Sequence, residues 1–327
     1  MALHVTYDDL NGVVGVVPTP ATADADRWEA GRTVNIPETV KMIEAVVEAG
    51  IDVVMTTATF GEVASLTWEE LREFVDCVIR TVGGRRPVFP GVTTLNTRDT
   101  IMRGRTLIEM GADGLFIGRP MWTALSDRQI VQFYRDVSDA LPHIPIIVYD
   151  NPRAFRRKIP PEVYRELTNI RGIIGAKQSG GPGLEQDIAA AGRSIRMLPP
   201  DLHWYPLARK YPHLITACWS GNVACAPKVV AALGRAIKSR DWDAAAVFHE
   251  KFRWATETIH PSGDAEKFAD YSIALCRVRF RAAGLIDPGP SRPPYVDLPE
   301  EYIGGAAEVG RRWRVLEEEY ASQAVAG

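Results

Sequence analysis

The chain has 327 residues, 46% of them hydrophobic and 24% charged, an ordinary globular composition that excludes a disordered or fibrous protein. Its net charge of −3 gives no electrostatic reason to expect nucleic acid or an anionic membrane as partner. Four scattered cysteines, Cys77, Cys218, Cys225 and Cys276, read as buried small hydrophobes in a reducing compartment, not as a disulfide frame or zinc site. At the start of the chain no basic region precedes an apolar core, and no apolar run approaches a membrane span, so a cytoplasmic protein is expected.

Residues 13–17 form a short β-branched run stopped by Pro18-Thr19-Pro20. A polar loop carrying Trp28 follows. From Ile36, the apolar residues Val40, Ile43, Val46 and Val47 recur at helical spacing until Gly50. A second strand covers 51–55, and Thr67-Trp68-Glu69-Glu70 reads as a capping box opening a helix to about Val82. The third strand, 88–92, is made irregular by Pro90 and Gly91. Helix 97–111, strand 115–117, helix 127–141, strand 144–149, helix 161–167 and strand 173–177 continue the alternation. Strands 195–198 and 215–219 flank a helical segment at 203–210, and a helix over 222–239 ends the series.

Apolar strands alternating with amphipathic helices indicate a parallel sheet covered by helices. Eight such repeats in roughly 220 residues fit a closed (β/α)8 TIM barrel. A doubly wound open sheet would call for a glycine-rich turn after the first strand, where this chain has Pro18-Thr19-Pro20. Beyond Trp242 the pattern is helical without strands, over 242–259, 265–283 and 299–320, and the proline-rich stretch 287–295 reads as an extended connection. The expected division is a barrel over 1–239 and a C-terminal helical extension over 240–327.

The run Gly172-Ile173-Ile174-Gly175-Ala176-Lys177 delivers one lysine to the end of an apolar strand, then stops in Gly180-Gly181. Lysine is rarely buried without a partner. A stem laid on apolar surface with its ammonium in water explains this without chemistry. An amine kept neutral by desolvation explains it as a nucleophile toward a ketone. Active sites of (β/α)8 barrels lie at the C-terminal strand ends, so the other strand ends decide between the two. They read Thr56-Thr57-Ala58-Thr59-Phe60-Gly61-Glu62, Thr93-Thr94-Leu95-Asn96, Tyr149-Asp150-Asn151-Pro152 and Trp219-Ser220-Gly221-Asn222, rich in hydroxyls, amides and aromatics. Singly, Thr59 and Asn151-Pro152 read as turn residues and Tyr149 as a core tyrosine. Together they favour the nucleophile. None of the six histidines pairs with another at ligand spacing on adjacent strand ends, and no metal is expected.

Three motifs in order, Ala58-Thr59-Phe60-Gly61-Glu62, Tyr149-x-Asn151-Pro152 and Gly175-x-Lys177, resemble those of the dihydrodipicolinate synthase and N-acetylneuraminate lyase superfamily of pyruvate-handling class I aldolases. The resemblance covers nearly the whole chain. Within the superfamily the chain is most similar to the benzylidenepyruvate hydratase-aldolases of polycyclic aromatic degradation, through Leu66-Thr67-Trp68, Thr94-Leu95-Asn96-Thr97-Arg98, Pro120-Met121-Trp122 and Arg292-Pro293-Pro294-Tyr295. It implies that Lys177 forms a Schiff base with a 2-oxo acid and that Tyr149 shuttles protons. Thr59, Phe60 and Gly61, with nearby backbone N–H groups, would hold the pyruvate carboxylate. Asn151 would position water or a hydroxyl, and Trp219 would offer a flat face to an aromatic ring. Ser272 stands where related enzymes have an asparagine that contacts substrate. No cofactor beyond the covalent Schiff base is implied, and a homotetramer is.

The chain departs from the synthases in two places. Their Tyr-Asn-x-Pro-x-Arg becomes Tyr149-Asp150-Asn151-Pro152-Arg153-Ala154, a changed spacing that argues against dihydrodipicolinate synthesis. Phe60 replaces the second threonine of their Gly-Thr-Thr-Gly-Glu, which removes a hydroxyl and supplies an apolar wall for an arene. The implied reaction adds water to a benzylidenepyruvate and cleaves it to an aromatic aldehyde and pyruvate. Trans-2'-carboxybenzalpyruvate is the expected substrate, its extra carboxylate drawn by Arg153, Arg156, Arg157 and Lys158, a group that also reads as a solvated basic loop. Trans-o-hydroxybenzylidenepyruvate is the alternative. Phe60 and Trp219 argue against a sugar-acid or amino-acid-route lyase. The presence of both Lys177 and Tyr149 argues against a silent 2-oxo acid sensor.

Overall fold

The computed structural model describes residues 3–326. Strands and helices alternate as β1 Gly12–Val16, α1 Ile36–Glu48, β2 Val53–Met55, α2 Trp68–Val82, β3 Val88–Phe89, α3 Thr97–Glu109, β4 Leu115–Gly118 and α4 Asp127–Ala140. They continue as β5 Ile146–Tyr149, α5 Pro161–Leu167, β6 Ile173–Lys177, α6 Leu184–Ala191, β7 Arg196–Leu198, α7 Asp201–Lys210, β8 Ala217–Ser220 and α8 Pro227–Lys238. Helices α9 Trp242–Thr256, α10 Ala265–Asp270, α11 Ser272–Ala283 and α12 Glu300–Ala326 follow, with no strand among the described residues. None of the described helices is long and apolar enough to cross a membrane.

The strands run in two orders, β3-β2-β1-β8 and β4-β5-β6-β7. Parallel bridges at Gly91–Phe116 and Pro200–Trp219 join β3 to β4 and β7 to β8, so each strand neighbours its successor and the last neighbours the first. This is the (β/α)8 barrel expected from the alternation, with the C-terminal helices appended. The β3 strand is as irregular as its sequence suggests. Pro90 has no N–H to donate, and pairing toward β4 continues through its carbonyl, which accepts from Phe116 N at 3.0 Å, and through Val92 N, which donates to the Phe116 carbonyl at 3.0 Å.

Local signals account for the helix boundaries. Thr67 and Glu70 make a reciprocal capping box on α2, which ends at Gly83 in the left-handed region. Ser126 and Gln129 do the same for α4. Three sequence expectations change. Helix α6, missing from the sequence assignment, is eight residues long and opens after Gly183 with no side-chain cap. The helix expected over 222–239 begins only at Pro227, which takes the first turn where its missing N–H is harmless, and a 3₁₀ turn over Asn222–Ala224 precedes it. The helix expected over 265–283 is broken at Tyr271, whose φ of −113° and ψ of 16° leave the helical region.

The chain packs as two units. One comprises the segment ending at Val14 with Asp52–Met55 and Arg86–Trp219, and the other Gly15–Ile51, Thr56–Arg85 and the chain from Ser220 onward. In the first, β5 and β6 pair with Tyr149 beside Lys177, beyond a register shift between Ile146 and Ile147 that leaves Ile174 as the extra residue on β6. A one-residue shift moves every later side chain to the other face, so this bulge sets Lys177 and Tyr149 on the same one.

In the second unit, the turn after β2 is held from beneath by Glu62, fully buried and at a φ of +58°. Its carboxylate accepts from the Arg277 and Arg292 guanidiniums and from Arg292 N. Arg292 continues the network through Nε to the Thr33 hydroxyl at 2.6 Å, and Thr33 N donates to Glu70 at 3.0 Å. Removing one partner of a buried ion pair leaves an uncompensated charge. Glu62→Ala is therefore expected to lower unfolding free energy by about 3–5 kcal/mol, read from urea titrations. An unchanged midpoint would refute this role.

Candidate active site

Lys177 ends β6 and is only 4% exposed. Its Nζ lies 3.6 Å from the centroid of the Trp219 ring and 4.6 Å from that of Tyr149. Burial among these faces pushes its pKa down to about 7, against an upward pull from the Asp150 carboxylate. Near neutral pH about half of the amine is therefore unprotonated and nucleophilic.

The surrounding contacts are fixed from behind. Trp219 Nε1 donates to the Gln178 carbonyl at 2.7 Å, which sets the indole over the amine. The buried Gln178 side chain donates to Asp187 at 2.5 Å and accepts from Gly180 N at 2.7 Å. Gly180 sits at a φ of +82°, and a Cβ there would lie 2.6 Å from the His203 ring, so only glycine fits. Tyr149 is packed between Phe116, at 4.6 Å, and the edge-on ring of Phe155, at 5.2 Å. Asn151 Nδ2 donates to the Tyr149 hydroxyl at 3.3 Å. Its own Oδ1 accepts from Arg153 N at 3.2 Å, a turn that a short amide side chain favours.

The first unit thus brings together Lys177, Tyr149, Asn151 and Trp219. Thr59, Phe60 and Gly61 belong to the second, where Thr19 Oγ1 donates to the Gly61 carbonyl at 2.8 Å. There Phe60 packs edge-on to Phe280 at 5.9 Å, and Ser272 opens α11. Asn151 contacts the tyrosine hydroxyl itself, beyond the water-positioning role the resemblance implied. The basic loop is largely committed. Arg156 Nε donates to the Met121 carbonyl at 2.9 Å, Arg157 pairs with Asp127 at 2.6 Å and Lys158 with Asp187 at 2.7 Å. Arg119 lies outside the residues the sequence singles out, and Asp150 stands out there only as part of a strand end and a changed pattern, without a role. The rule that strand ends carry function pointed at both, since Arg119 directly follows β4 and Asp150 directly follows β5.

The dihydrodipicolinate synthetase family description matches residues 22–206. A trans-2'-carboxybenzalpyruvate hydratase-aldolase from a Nocardioides species is 47% identical, over 97% of this chain and 97% of its own length. This chain belongs to the dihydrodipicolinate synthetase family. A trans-O-hydroxybenzylidenepyruvate hydratase-aldolase from Pseudomonas aeruginosa is 39% identical over 98% of this chain and 97% of its own length. Among solved structures, PhdJ bound to substrate intermediate superposes with a TM-score of 0.95 at 47% identity, covering 97% of this chain and 99% of the other. The dihydrodipicolinate synthase of Thermotoga maritima, at 17% identity and a TM-score of 0.80 over 93% of this chain and 98% of its own, shares the fold.

A lysine with a folded pKa near 7 and an ordinary value of 10.5 is neutral over a window in which the unfolded chain still holds its proton. Stability therefore rises with pH between those values, and the penalty is full below pH 7. Lys177→Met is expected to raise stability at neutral pH by on the order of 3 kcal/mol, a gain that shrinks as pH approaches 10. Urea titrations at two pH values check both parts, and a destabilised variant would contradict the desolvated amine.

Proposed function

We propose that this protein is a Schiff-base hydratase-aldolase that converts trans-2'-carboxybenzalpyruvate and water into 2-carboxybenzaldehyde and pyruvate. The observation that carries this reading is the amine of Lys177, desolvated by the Trp219 and Tyr149 rings and pushed down to a pKa of about 7. The 47% identical relative named for that substrate supports the choice of arene.

The neutral amine attacks the ketone carbon, and the carbinolamine expels water to leave a protonated imine. That cation draws electrons from the conjugated double bond, so water adds at the carbon bearing the ring and gives up a proton, and the enamine so formed is protonated on its carbon to restore the imine cation. Tyr149 then takes the proton of the new hydroxyl as the carbon–carbon bond breaks, releasing the aldehyde and an enamine on Lys177. Protonation of the enamine carbon and hydrolysis free pyruvate and restore the amine. The indole face over Nζ stabilises each cationic intermediate. Thr59, Phe60 and Gly61 are proposed to hold the pyruvate carboxylate, Trp219 to face the arene, and Asn151 and Ser272 to contact substrate. On the same footing the protein is proposed to act in the cytoplasm as a homotetramer, without a dissociable cofactor, in aromatic hydrocarbon breakdown.

Borohydride reduction in the presence of pyruvate is expected to fix pyruvate's mass on the Lys177 peptide, at a rate that rises with pH to a plateau with its midpoint near pH 7. No adduct on a folded protein would sink the mechanism. Tyr149→Phe is expected to lower kcat about 10²–10⁴-fold in steady-state assays. The carboxylated substrate should show the higher kcat/KM; a preference for the hydroxylated one would change the substrate but leave the mechanism standing.

A further inference from the structure

The loop from β5 to α5 closes on one carboxylate. Asp150, 1% exposed, accepts from Ile159 N and from the Tyr164 hydroxyl, each at 3.1 Å, and pairs with Arg119 Nη1 at 3.2 Å. Arg119, fully buried, reaches the Arg157 carbonyl with Nη2, and its guanidinium lies 5.1 Å from the centroid of Phe155. Both ends of the loop are therefore tied to the same ion pair. What the loop carries is catalytic furniture: Phe155 stands edge-on to Tyr149 at 5.2 Å, and Asn151 donates to its hydroxyl at 3.3 Å. Asp150 N also donates to the Lys177 carbonyl at 3.0 Å.

We propose that the buried Arg119–Asp150 pair is a positioning device for carbon–carbon cleavage: it locks the loop after β5 and, through Phe155 and Asn151, fixes the orientation of the Tyr149 hydroxyl. The inference rests on Tyr149 being the proton shuttle proposed above. A buried ion pair adds little stability over well-packed apolar residues, so stability does not account for one at this place. Geometry does. A planar guanidinium holds two acceptors at fixed angles, which a lysine cannot. The two residues also act as a unit. The synthase pattern has a neutral asparagine where this chain has Asp150, and with Arg119 present an asparagine would leave its charge unpaired. Proton transfer is sensitive to small displacements, so a loosened tyrosine loses rate while the lysine still reacts.

Three variants test this. Arg119→Lys keeps the charge opposite Asp150 but gives up the second contact. The double variant Arg119→Met with Asp150→Asn removes both charges, so that no lone buried ion threatens folding. Phe155→Leu keeps both charges and their hydrogen bonds and alters the ring contacts with Tyr149 and with the Arg119 guanidinium. Borohydride trapping with pyruvate reports Lys177 alone, and steady-state kinetics with the benzylidenepyruvate report cleavage. Each variant is expected to trap pyruvate to the wild-type extent at a pH well above the Lys177 midpoint and to keep KM within about threefold; losing Asp150 also removes its upward pull on the amine, so the double variant's trapping midpoint moves down. The first two should lose about 10–100-fold in kcat and Phe155→Leu a smaller amount in the same direction. Unchanged kcat in the folded variants, or a parallel loss of trapping, KM and kcat, would overturn the positioning role. If the wild type itself traps no pyruvate, the functional reading fails, and this one with it.

Discussion

The exclusion of water from the Lys177 amine is the constraint to which the first unit is arranged. Transferring an ammonium from water to a surface of aromatic rings is unfavourable by several kcal/mol, and the group escapes most of that penalty by releasing its proton. The fall to about 7 is that escape. It depends on features that are individually ordinary. The bulge at Ile174 puts Lys177 beside Tyr149, the Gln178 carbonyl pins the indole, and a glycine at 180 lets the chain turn away without filling the space beside His203. Asp150 works in the opposite direction, pulling the lysine pKa upward. The balance leaves an amine neutral enough to attack a ketone and, in the proposed mechanism, basic enough to be protonated as an imine.

Each unit also buries an ion pair beneath a loop that follows a strand. Glu62 with Arg277 and Arg292 lies under the turn after β2, and Asp150 with Arg119 under the loop after β5. Both loops contain non-glycine residues at positive φ, Thr57 and Glu62 in one and Arg156 in the other. Such conformations are unfavourable by about 1–3 kcal/mol each and persist only where their surroundings over-determine them. Ion pairs with several well-aimed hydrogen bonds do that more sharply than apolar packing, because they tolerate one geometry. Functional groups on loops need such support, since the loops lack a strand's ladder to hold them.

The residues that were legible in the sequence are those whose signal is local. Lys177 stands out because an apolar strand tolerates no charge without a reason, and Thr67 with Glu70 because a capping box is spelled in four consecutive residues. The alternation of strands and helices, and with it the barrel, is a periodic signal carried by eight strands and seven of the eight helices between α1 and α8. Helix α6 was lost because its eight residues open after Gly183 without a capping side chain and carry only Leu184 and Ile188 as large apolar anchors. The break at Tyr271 has no proline or glycine to announce it. The Arg119–Asp150 pair joins residues 31 apart and becomes visible only when Gly118 is registered against Tyr149, which sets their successors side by side. Motif comparison noticed Asp150 as a departure from a pattern, and the structure supplies the arginine that makes the departure sensible.

In the proposed mechanism the aromatic enclosure has a further consequence: one site disfavours a cation at rest and favours one in the reaction. An ammonium carries three N–H donors, each needing an acceptor that ring faces supply poorly. A protonated imine formed on the same nitrogen carries one, and its charge is spread over carbon as well. The desolvation penalty would therefore fall on formation of the proposed Lys177 imine, while the attraction of the Trp219 face for positive charge remains. Stabilisation that is stronger along the reaction path than in the resting enzyme is what accelerates a reaction. A polar pocket lined with carboxylates would stabilise both cations and lose that difference. The Asp150 carboxylate fits this account because Arg119, Ile159 N and the Tyr164 hydroxyl occupy it, so that its charge reaches Lys177 only as a tempered field.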